Sequence, residues 1–85
     1  TSEREENFGK ILQEIRNSKK ISQEKLAILT GLDRTAISLI ENGKRSPTFI
    51  TILKICSALG IKPSVLFSIY EEKDPDYIVK KKRKA

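Results

Sequence analysis

The apolar positions of the chain recur three and four residues apart, in short runs separated by polar or glycine-containing segments. That period is typical of amphipathic helices that bury one face. In the first run, Phe8, Leu12 and Ile15 form the stripe that we expect to be buried. We expect residues 1–6 to be a frayed polar end, with Asn7 or a residue before it as the N-cap of this helix.

A second helix is predicted to begin at Ser22 and to end at Gly31. The Ser22 hydroxyl can accept a hydrogen bond from an amide of the first turn, which makes it a good N-cap. Leu26 and Ala27 fall on one side of the helix, where the small Ala27 allows another helix to approach. Gly31 can adopt the left-handed conformation that ends a helix, after which Leu32 turns inward.

A third helix is predicted immediately after this corner. Asp33 is its expected N-cap, and Ile37 and Ile40 form its inward stripe. The opposite, outward face then carries Arg34, Thr35, Ser38, Leu39 and Asn42. Two short helices joined in this way form a helix-turn-helix, whose second helix can enter a DNA major groove with its N-terminal residues at the base edges.

Residues 22–43 resemble the lambda-repressor-like (Cro and xenobiotic-response-element) helix-turn-helix family, through the segments Ser-Gln-Glu-Lys-Leu-Ala, Gly-Leu and Ile-Ser…Ile-Glu-Asn-Gly. The segment Gly-Leu-Asp-Arg-Thr-Ala-Ile-Ser is similar in particular to the controller proteins of restriction-modification systems, which usually carry Tyr where this chain has Ala36. The resemblance covers roughly residues 8–70. It implies an all-α fold, a compact five-helix lambda-repressor-like DNA-binding domain with the helix-turn-helix at helices 2 and 3.

A fourth helix is predicted from Phe49 to Leu59, with Thr48 as its N-cap and a glycine directly after it. Phe49, Ile52, Cys56 and Leu59 are spaced for burial on one face. Because Cys56 lies within this apolar stripe, we interpret it as a small buried hydrophobe and not as a reactive thiol.

Helix 5 is predicted to begin at Pro63, whose missing amide hydrogen costs nothing at the first helical position. This segment carries more apolar surface than one short helix can hide in its own domain. In lambda-repressor-like proteins the fifth helix commonly makes the two-fold dimer contact. The resemblance therefore makes Ile61, Val65 and Ile69 candidates for a dimer interface, and the alternative is core packing within a monomer.

The helical pattern ends near residue 72, which divides the chain into a DNA-binding domain (1–72) and a basic C-terminal tail (73–85) that we expect to be flexible. Tyr77, Ile78 and Val79 form a run with β propensity that is too brief to be a strand alone. They could add to the edge of a partner or pack across a dimer, although disorder is favoured. Lys80–Lys84 is either a solvated basic cluster or an arm that touches phosphates.

The net charge of +6 is unevenly distributed. Residues 80–84 supply five of the seventeen basic groups, so that twelve basic groups face eleven acidic groups in the rest of the chain. Residues 16–45 hold seven basic and three acidic groups, a net charge of +4 that coincides with the predicted helix-turn-helix. A surface that faces phosphates requires this arrangement, whereas the alternative is a well-solvated mixed surface.

Base reading is expected from the outward face of helix 3. Arg34 can donate two hydrogen bonds to guanine, Thr35 and Ser38 offer hydroxyls, and Leu39 suits a thymine methyl. The alternatives are a phosphate contact for Arg34 and local backbone hydrogen bonds for Thr35 and Ser38.

Phosphate binding and an internal ion pair are the other expected roles. The resemblance assigns a phosphate contact to Gln23 at the start of helix 2, where the helix dipole supports it. Asn42, Lys44 and Arg45 are further phosphate candidates at the exit of helix 3. By the same resemblance, Arg16 should pair with the glutamate of Glu-Asn-Gly, Glu41, and so tie helix 1 to helix 3.

These patterns predict a homodimeric, sequence-specific transcription regulator that binds double-stranded DNA at an inverted-repeat operator, either a restriction-modification controller or a phage-type repressor. The alternative is an antitoxin or adaptor that holds a protein partner with the same fold. An enzyme is a distant third, because the chain has no His and no carboxylates grouped at catalytic spacing. We expect no metal, no cofactor, no small-molecule ligand and no membrane contact, and a cytoplasmic location.

Overall fold

The computed structural model describes residues 2–76. They form five α-helices: α1 (Glu3–Ser18), α2 (Gln23–Thr30), α3 (Arg34–Glu41), α4 (Phe49–Leu59) and α5 (Pro63–Lys73). The prediction of an all-α, five-helix domain is confirmed for this part of the chain. No single helix within it is long and apolar enough to cross a membrane; α4 and α5 reach that length and composition only together, and they are bent by 104° at their junction.

One apolar core joins the five helices. α1 packs on α3 and α5, α2 packs on α3 and α4, and α4 packs on α5. The largest fully buried side chains come from every helix: Leu12, Leu26, Ile37, Ile40, Ile55, Cys56 and Leu66. Complete burial of one such aliphatic side chain is worth about 1.5–3 kcal/mol, so this shared core holds α3 in place from behind.

The ends of α2 and α4 follow the expected capping chemistry. Ser22 Oγ accepts a hydrogen bond from the Lys25 amide at 3.0 Å, and Thr48 Oγ1 accepts one from the Thr51 amide at 3.1 Å. Gly31 ends α2 in the left-handed conformation with φ +76°, which sets the corner before α3. Asp33 is the N-cap residue of α3, as expected, although its exposed side chain makes no capping hydrogen bond.

The expectation about where the first helix begins is corrected. Residues 3–6 are not frayed, because Ser2 Oγ accepts from the Glu5 amide while Ser2 donates its own amide to Glu5 Oε1. This reciprocal capping box begins α1 at Glu3. At the other end of the domain, α5 ends at Lys73, one residue beyond the boundary that the sequence placed at residue 72.

Phe49 is the one predicted core residue of α4 that is exposed, at 69% of its surface. It stands in the first turn, beyond the end of the core, where no other helix covers it. Ile55 takes an inward position instead, beside Cys56 and Leu59. Cys56 is 1% exposed and burial raises the pKa of its thiol, which confirms its interpretation as a buried hydrophobe.

The crossing of α1 over α3 depends on Gly9. A Cβ atom at this position would lie 2.4 Å from the carbonyl oxygen of Glu41 and 2.6 Å from that of Ile40. Real Cβ atoms do not approach backbone oxygens so closely, so only glycine allows the two helices to touch here. The end of α3 is therefore held against α1 by direct backbone contact.

Candidate nucleic-acid interface

The solvent-facing side of α3 is polar and opposite its buried stripe. Arg34 and Thr35 are exposed at its N-terminal end, and Ser38 and Leu39 are half-buried one turn later. Asn42 is exposed after the last turn and donates from Nδ2 to Ser38 Oγ at 3.3 Å. The structure therefore brings all five outward candidates onto one helix face, with Ser38 already engaged by Asn42.

Gln23 and Arg34 border the same open cleft between the starts of α2 and α3. Arg16, Ser22 and Glu24 complete its lining. Gln23 is half-buried, and its Nε2 donates to Glu41 Oε1 at 2.9 Å. The phosphate candidate on α2 is thus adjacent to the first base-reading candidate on α3, and it is held in place by the last residue of α3.

Arg16 and Glu41 form a buried, two-pronged ion pair between α1 and α3. Arg16 Nε lies 2.6 Å from Glu41 Oε2, and Arg16 Nη2 lies 3.0 Å from Glu41 Oε1. The remaining prong of the guanidinium donates from Nη1 to the carbonyl oxygen of Ile21 at 2.7 Å. One arginine therefore fixes α1, the connection before α2 and the end of α3 to each other.

Lys44 and Arg45 lie exposed in the loop after α3. The loop begins with Gly43 at φ +73°, and the Lys44 amide donates to the carbonyl oxygen of Leu39 at 2.8 Å. A Cβ atom at Gly43 would lie 2.8 Å from the Cα atom of Glu6, so the loop rests directly on the first turns of α1. Lys44 and Arg45 thus project from a loop whose backbone is fixed at its start.

The exposed cations of this surface have no acidic partner among residues 2–76. Within that range, no carboxylate lies within 4.0 Å of a side-chain nitrogen of Arg34, Lys44 or Arg45. Glu41, one of the three acidic groups of residues 16–45, is instead neutralised by Arg16. The local excess of positive charge is therefore available to an anionic partner.

The three dimer candidates differ in exposure. Ile61 and Ile69 are half-buried and pack against the core of their own domain, whereas Val65 is 44% exposed. Phe67, which the sequence analysis did not name as an interface candidate, is exposed to the same extent as Val65. Phe49 and Ile50 on α4 are more exposed than either. Helical periodicity finds apolar positions but does not tell which of them a second helix of the same chain will cover.

A contact between the two ends of the domain was also missed from sequence. Asp74 is 5% exposed and accepts hydrogen bonds from Tyr70 Oη at 2.6 Å and from Arg4 Nη1 at 3.2 Å. The Tyr70 hydrogen bond is the main cause that lowers the pKa of Asp74, and burial together with Asp74 raises the pKa of Tyr70 to about 12. Asp74 belongs to the range expected to be a flexible tail, but these contacts fix it; residues 77–85 lie outside the described residues.

Comparison with known proteins agrees with this geometry. A helix-turn-helix family model matches residues 12–66. The control protein C.MunI of a Mycoplasma species is 46% identical over 66 residues, which are 76% of this chain and 89% of that protein. The crystal structure of the restriction-modification controller protein C.AhdI from Aeromonas hydrophila superposes with a TM-score of 0.71 at 45% identity, covering 73% of this chain and 94% of that one.

A second solved structure is that of a controller protein bound to DNA. The C.Esp1396I tetramer, in complex with its natural 35-base-pair operator, has a TM-score of 0.80 at 30% identity and covers 86% of this chain and 96% of that one. These matches confirm the resemblance to restriction-modification controller proteins inferred from residues 22–43. The chain therefore belongs to the helix-turn-helix family, and the relatives that it resembles over most of its length are restriction-modification controllers.

Proposed function

We propose that this protein is a sequence-specific transcription regulator that binds an inverted-repeat operator as a homodimer. The observation that carries the proposal is the outward face of α3, on which Arg34, Thr35 and Asn42 are exposed and Ser38 and Leu39 are half-buried. Behind it, Ile37 and Ile40 are buried, so this face can meet DNA without any rearrangement of the domain.

Base reading falls to the exposed N-terminal half of this face. Arg34 has a guanidinium without an acidic partner in the described range, which suits two hydrogen bonds to O6 and N7 of a guanine. Thr35 lies beside it and is exposed, so it can contact a base through either its hydroxyl or its methyl group. Ser38 and Leu39 are half-buried and lie deeper along the helix, where Leu39 would meet a thymine methyl.

Phosphate binding falls to groups on both sides of α3. Gln23 projects at the N-terminus of α2, whose unpaired amides and dipole favour an anion, and its contact with Glu41 fixes its direction. Asn42, Lys44 and Arg45 flank the other end of the recognition helix. Contacts of this kind set the register of the protein on the duplex, whereas α3 would recognise the base sequence.

A two-fold dimer would place two copies of α3 in successive major grooves about 34 Å apart, which is why we expect a short inverted repeat. Val65 is the exposed member of the proposed contact, with Ile61 and Ile69 beside it at the edge of the core. C.Esp1396I forms a tetramer in complex with its natural operator, so a protein similar to this chain assembles on DNA.

The test is to select an operator from random duplexes and then to measure binding of Arg34→Ala to the operator and to a scrambled duplex. We expect a loss of about 1–3 kcal/mol on the operator and little change on the scrambled duplex, because a base contact is worth that much. Lys10→Ala, an exposed cation on the side of α1 that faces α5, is the matched control. Equal losses on both duplexes would remove Arg34 from base reading.

The alternative is an antitoxin-type or adaptor module, and exposed apolar side chains favour it. Leu29 on α2 and Ile50 and Leu53 on α4 are exposed and line one open groove, as expected of a surface that meets a protein. A clean dimer that binds no duplex from the selection but co-purifies with one stoichiometric protein would establish this alternative. Under either proposal the chain binds a macromolecule without catalysis, and we expect it to act in the cytoplasm.

A further inference from the structure

The hydroxyl of Ser38 forms its hydrogen bonds differently from two other hydroxyls of the helices. Ser18 Oγ donates to a backbone carbonyl oxygen three residues earlier at 2.7 Å, and Thr30 Oγ1 donates to one four residues earlier at 2.8 Å. Both hydroxyls thereby direct their proton to their own helix. Ser38 Oγ instead accepts from Asn42 Nδ2 at 3.3 Å, and it donates no hydrogen bond within residues 2–76.

The contact with Asn42 gives the Ser38 hydroxyl a direction. A hydroxyl has one proton and two lone pairs, and the amide hydrogen of Asn42 occupies one of the lone pairs. The proton is left for an acceptor outside the domain, and a hydroxyl that accepts a hydrogen bond donates a stronger one. Because Ser38 lies on the outward face of α3, the acceptor within its reach is the base edge of a bound duplex.

The phosphate contact proposed for Asn42 requires the same orientation of its amide. Asn42 is exposed, and its amide nitrogen carries two hydrogens, of which Ser38 accepts one. A phosphate oxygen only accepts, so it would take the second hydrogen of that nitrogen. Both contacts therefore favour one amide orientation, in which the nitrogen and not the oxygen is turned toward Ser38.

We propose that Asn42 makes Ser38 a hydrogen-bond donor, so that Ser38 selects a base whose major-groove edge offers an acceptor. This inference rests on the proposed function, because it concerns the same face of α3. Asn42 is then a positioning residue for base recognition in addition to a phosphate ligand. In the major groove guanine presents only acceptors and cytosine presents only a donor, so these two bases distinguish the two polarities of the hydroxyl.

The experiment reverses the polarity of the Asn42 side chain and keeps its shape. Asn42→Asp places a carboxylate at this position, which only accepts, so Ser38 would donate to it and offer its lone pairs to the base. An operator is first selected with the wild-type protein. The position that Ser38 reads is the one whose base preference is removed by Ser38→Ala. Affinities are then measured for two operators that differ only in carrying guanine or cytosine at that position.

We expect the wild-type protein to favour guanine by about three- to tenfold, which corresponds to one net hydrogen bond. Asn42→Asp should favour cytosine instead, and Asn42→Ala should bring the ratio close to one because the hydroxyl can then rotate. Loss of the phosphate contact weakens binding to both operators alike, so it does not change the ratio. A purely structural role of Asn42 would lower both affinities without reversing their order.

Two variants control for the added charge and for the hydroxyl itself. Asn17→Asp adds a negative charge at the exposed end of α1 and should leave the ratio of the two affinities unchanged. Asn42→Asp combined with Ser38→Ala should show no reversal, because no hydroxyl remains to change its direction. Urea unfolding of each variant establishes that the proteins compared are folded.

The outcomes separate this inference from the function on which it rests. A wild-type protein that selects an operator, together with an Asn42→Asp variant that keeps the preference for guanine, overturns the inference alone. An operator in which no position responds to Ser38→Ala, or in which that position favours cytosine, does the same. A wild-type protein that selects no operator overturns the proposed function and the inference with it.

Discussion

Gln23 donates from Nε2 to Glu41 Oε1 at 2.9 Å, and this contact joins the start of α2 to the end of α3. The same carboxylate oxygen accepts a hydrogen bond from Arg16 at 3.0 Å. Glu41 therefore positions a candidate phosphate ligand while it is itself held by α1. The two helices of the helix-turn-helix are coupled by charge and hydrogen bonding in addition to their shared apolar core.

Glu41→Ala should destabilise the domain by about 3–5 kcal/mol, because it leaves the buried Arg16 guanidinium without its counter-charge. The Glu41 side chain is 1% exposed and the Arg16 side chain 8%, so solvent cannot compensate for the loss. Urea unfolding measures the change, and Glu14→Ala, an exposed glutamate on α1, is the control. Replacing both Arg16 and Glu41 by the apolar residues Met and Leu should recover most of the stability. A double variant as unstable as Glu41→Ala would show that the pair stabilises the domain by more than cancelling its own buried charges.

Gly9→Ala should unfold more easily than the wild-type protein although alanine favours helices. The added methyl would lie 2.4 Å from the carbonyl oxygen of Glu41, so α1 and α3 must separate. Overpacking of this kind costs about 1–3 kcal/mol, more than the gain in helix propensity of roughly 1 kcal/mol. Thermal unfolding of Gly9→Ala beside Lys10→Ala checks this expectation, and an unchanged melting temperature would contradict the tight crossing.

Lys44→Ala and Gln23→Ala should weaken DNA binding in different ways. We propose that both side chains contact phosphates, so each variant should lose similar affinity for the operator and for a scrambled duplex. Only Lys44 carries a charge, so only Lys44→Ala should lower the slope of log K against log salt, by about 0.9. A Gln23→Ala protein with an altered sequence preference would instead place Gln23 at a base edge.

The parts of this structure that sequence predicted are those in which the signal is local. Ser22 and Thr48 act as N-caps and Ile37 and Ile40 are buried, because a cap or a stripe is decided within one helix. The prediction that Phe49 is buried was wrong, because periodicity gives the buried face of a helix but not the point along it at which the neighbouring helices end.

Contacts between distant segments carried no such signal. Arg4 and Asp74 are 70 positions apart, and neither residue has a pattern around it that indicates the other. Arg16 and Glu41 are 25 positions apart, and only the resemblance to a family suggested their contact. The outward face of α3 could be predicted from sequence, because its residues lie within nine positions of each other. The hydrogen bond from Gln23 to Glu41 could not, because it joins two different helices.

The burial of Tyr70 and its hydrogen bond to Asp74 should make stability depend on pH at both ends of the scale. The pKa of Asp74 is lowered, so its contribution is complete above the ordinary pKa of 3.8 and is lost as the pH falls below it. The pKa of Tyr70 is raised from 10 to about 12, so its contribution is complete below pH 10 and is lost as the pH rises toward 12. In both cases the folded state retains the form that keeps the hydrogen bond.

Tyr70→Phe should remove the alkaline part of this dependence, because the variant has no phenol to ionise. It should also weaken the acid part, because Asp74 would lose the hydrogen bond from Tyr70 and keep its contact with Arg4. The measurement is the free energy of unfolding in urea between pH 2.5 and 12 for both proteins. Between pH 10 and 12 the wild-type protein should lose stability more steeply than Tyr70→Phe, since only its folded state resists ionisation of this hydroxyl. Parallel curves over that interval would mean that Tyr70 ionises equally in the folded and unfolded states, and its hydrogen bond to Asp74 would then not contribute to stability.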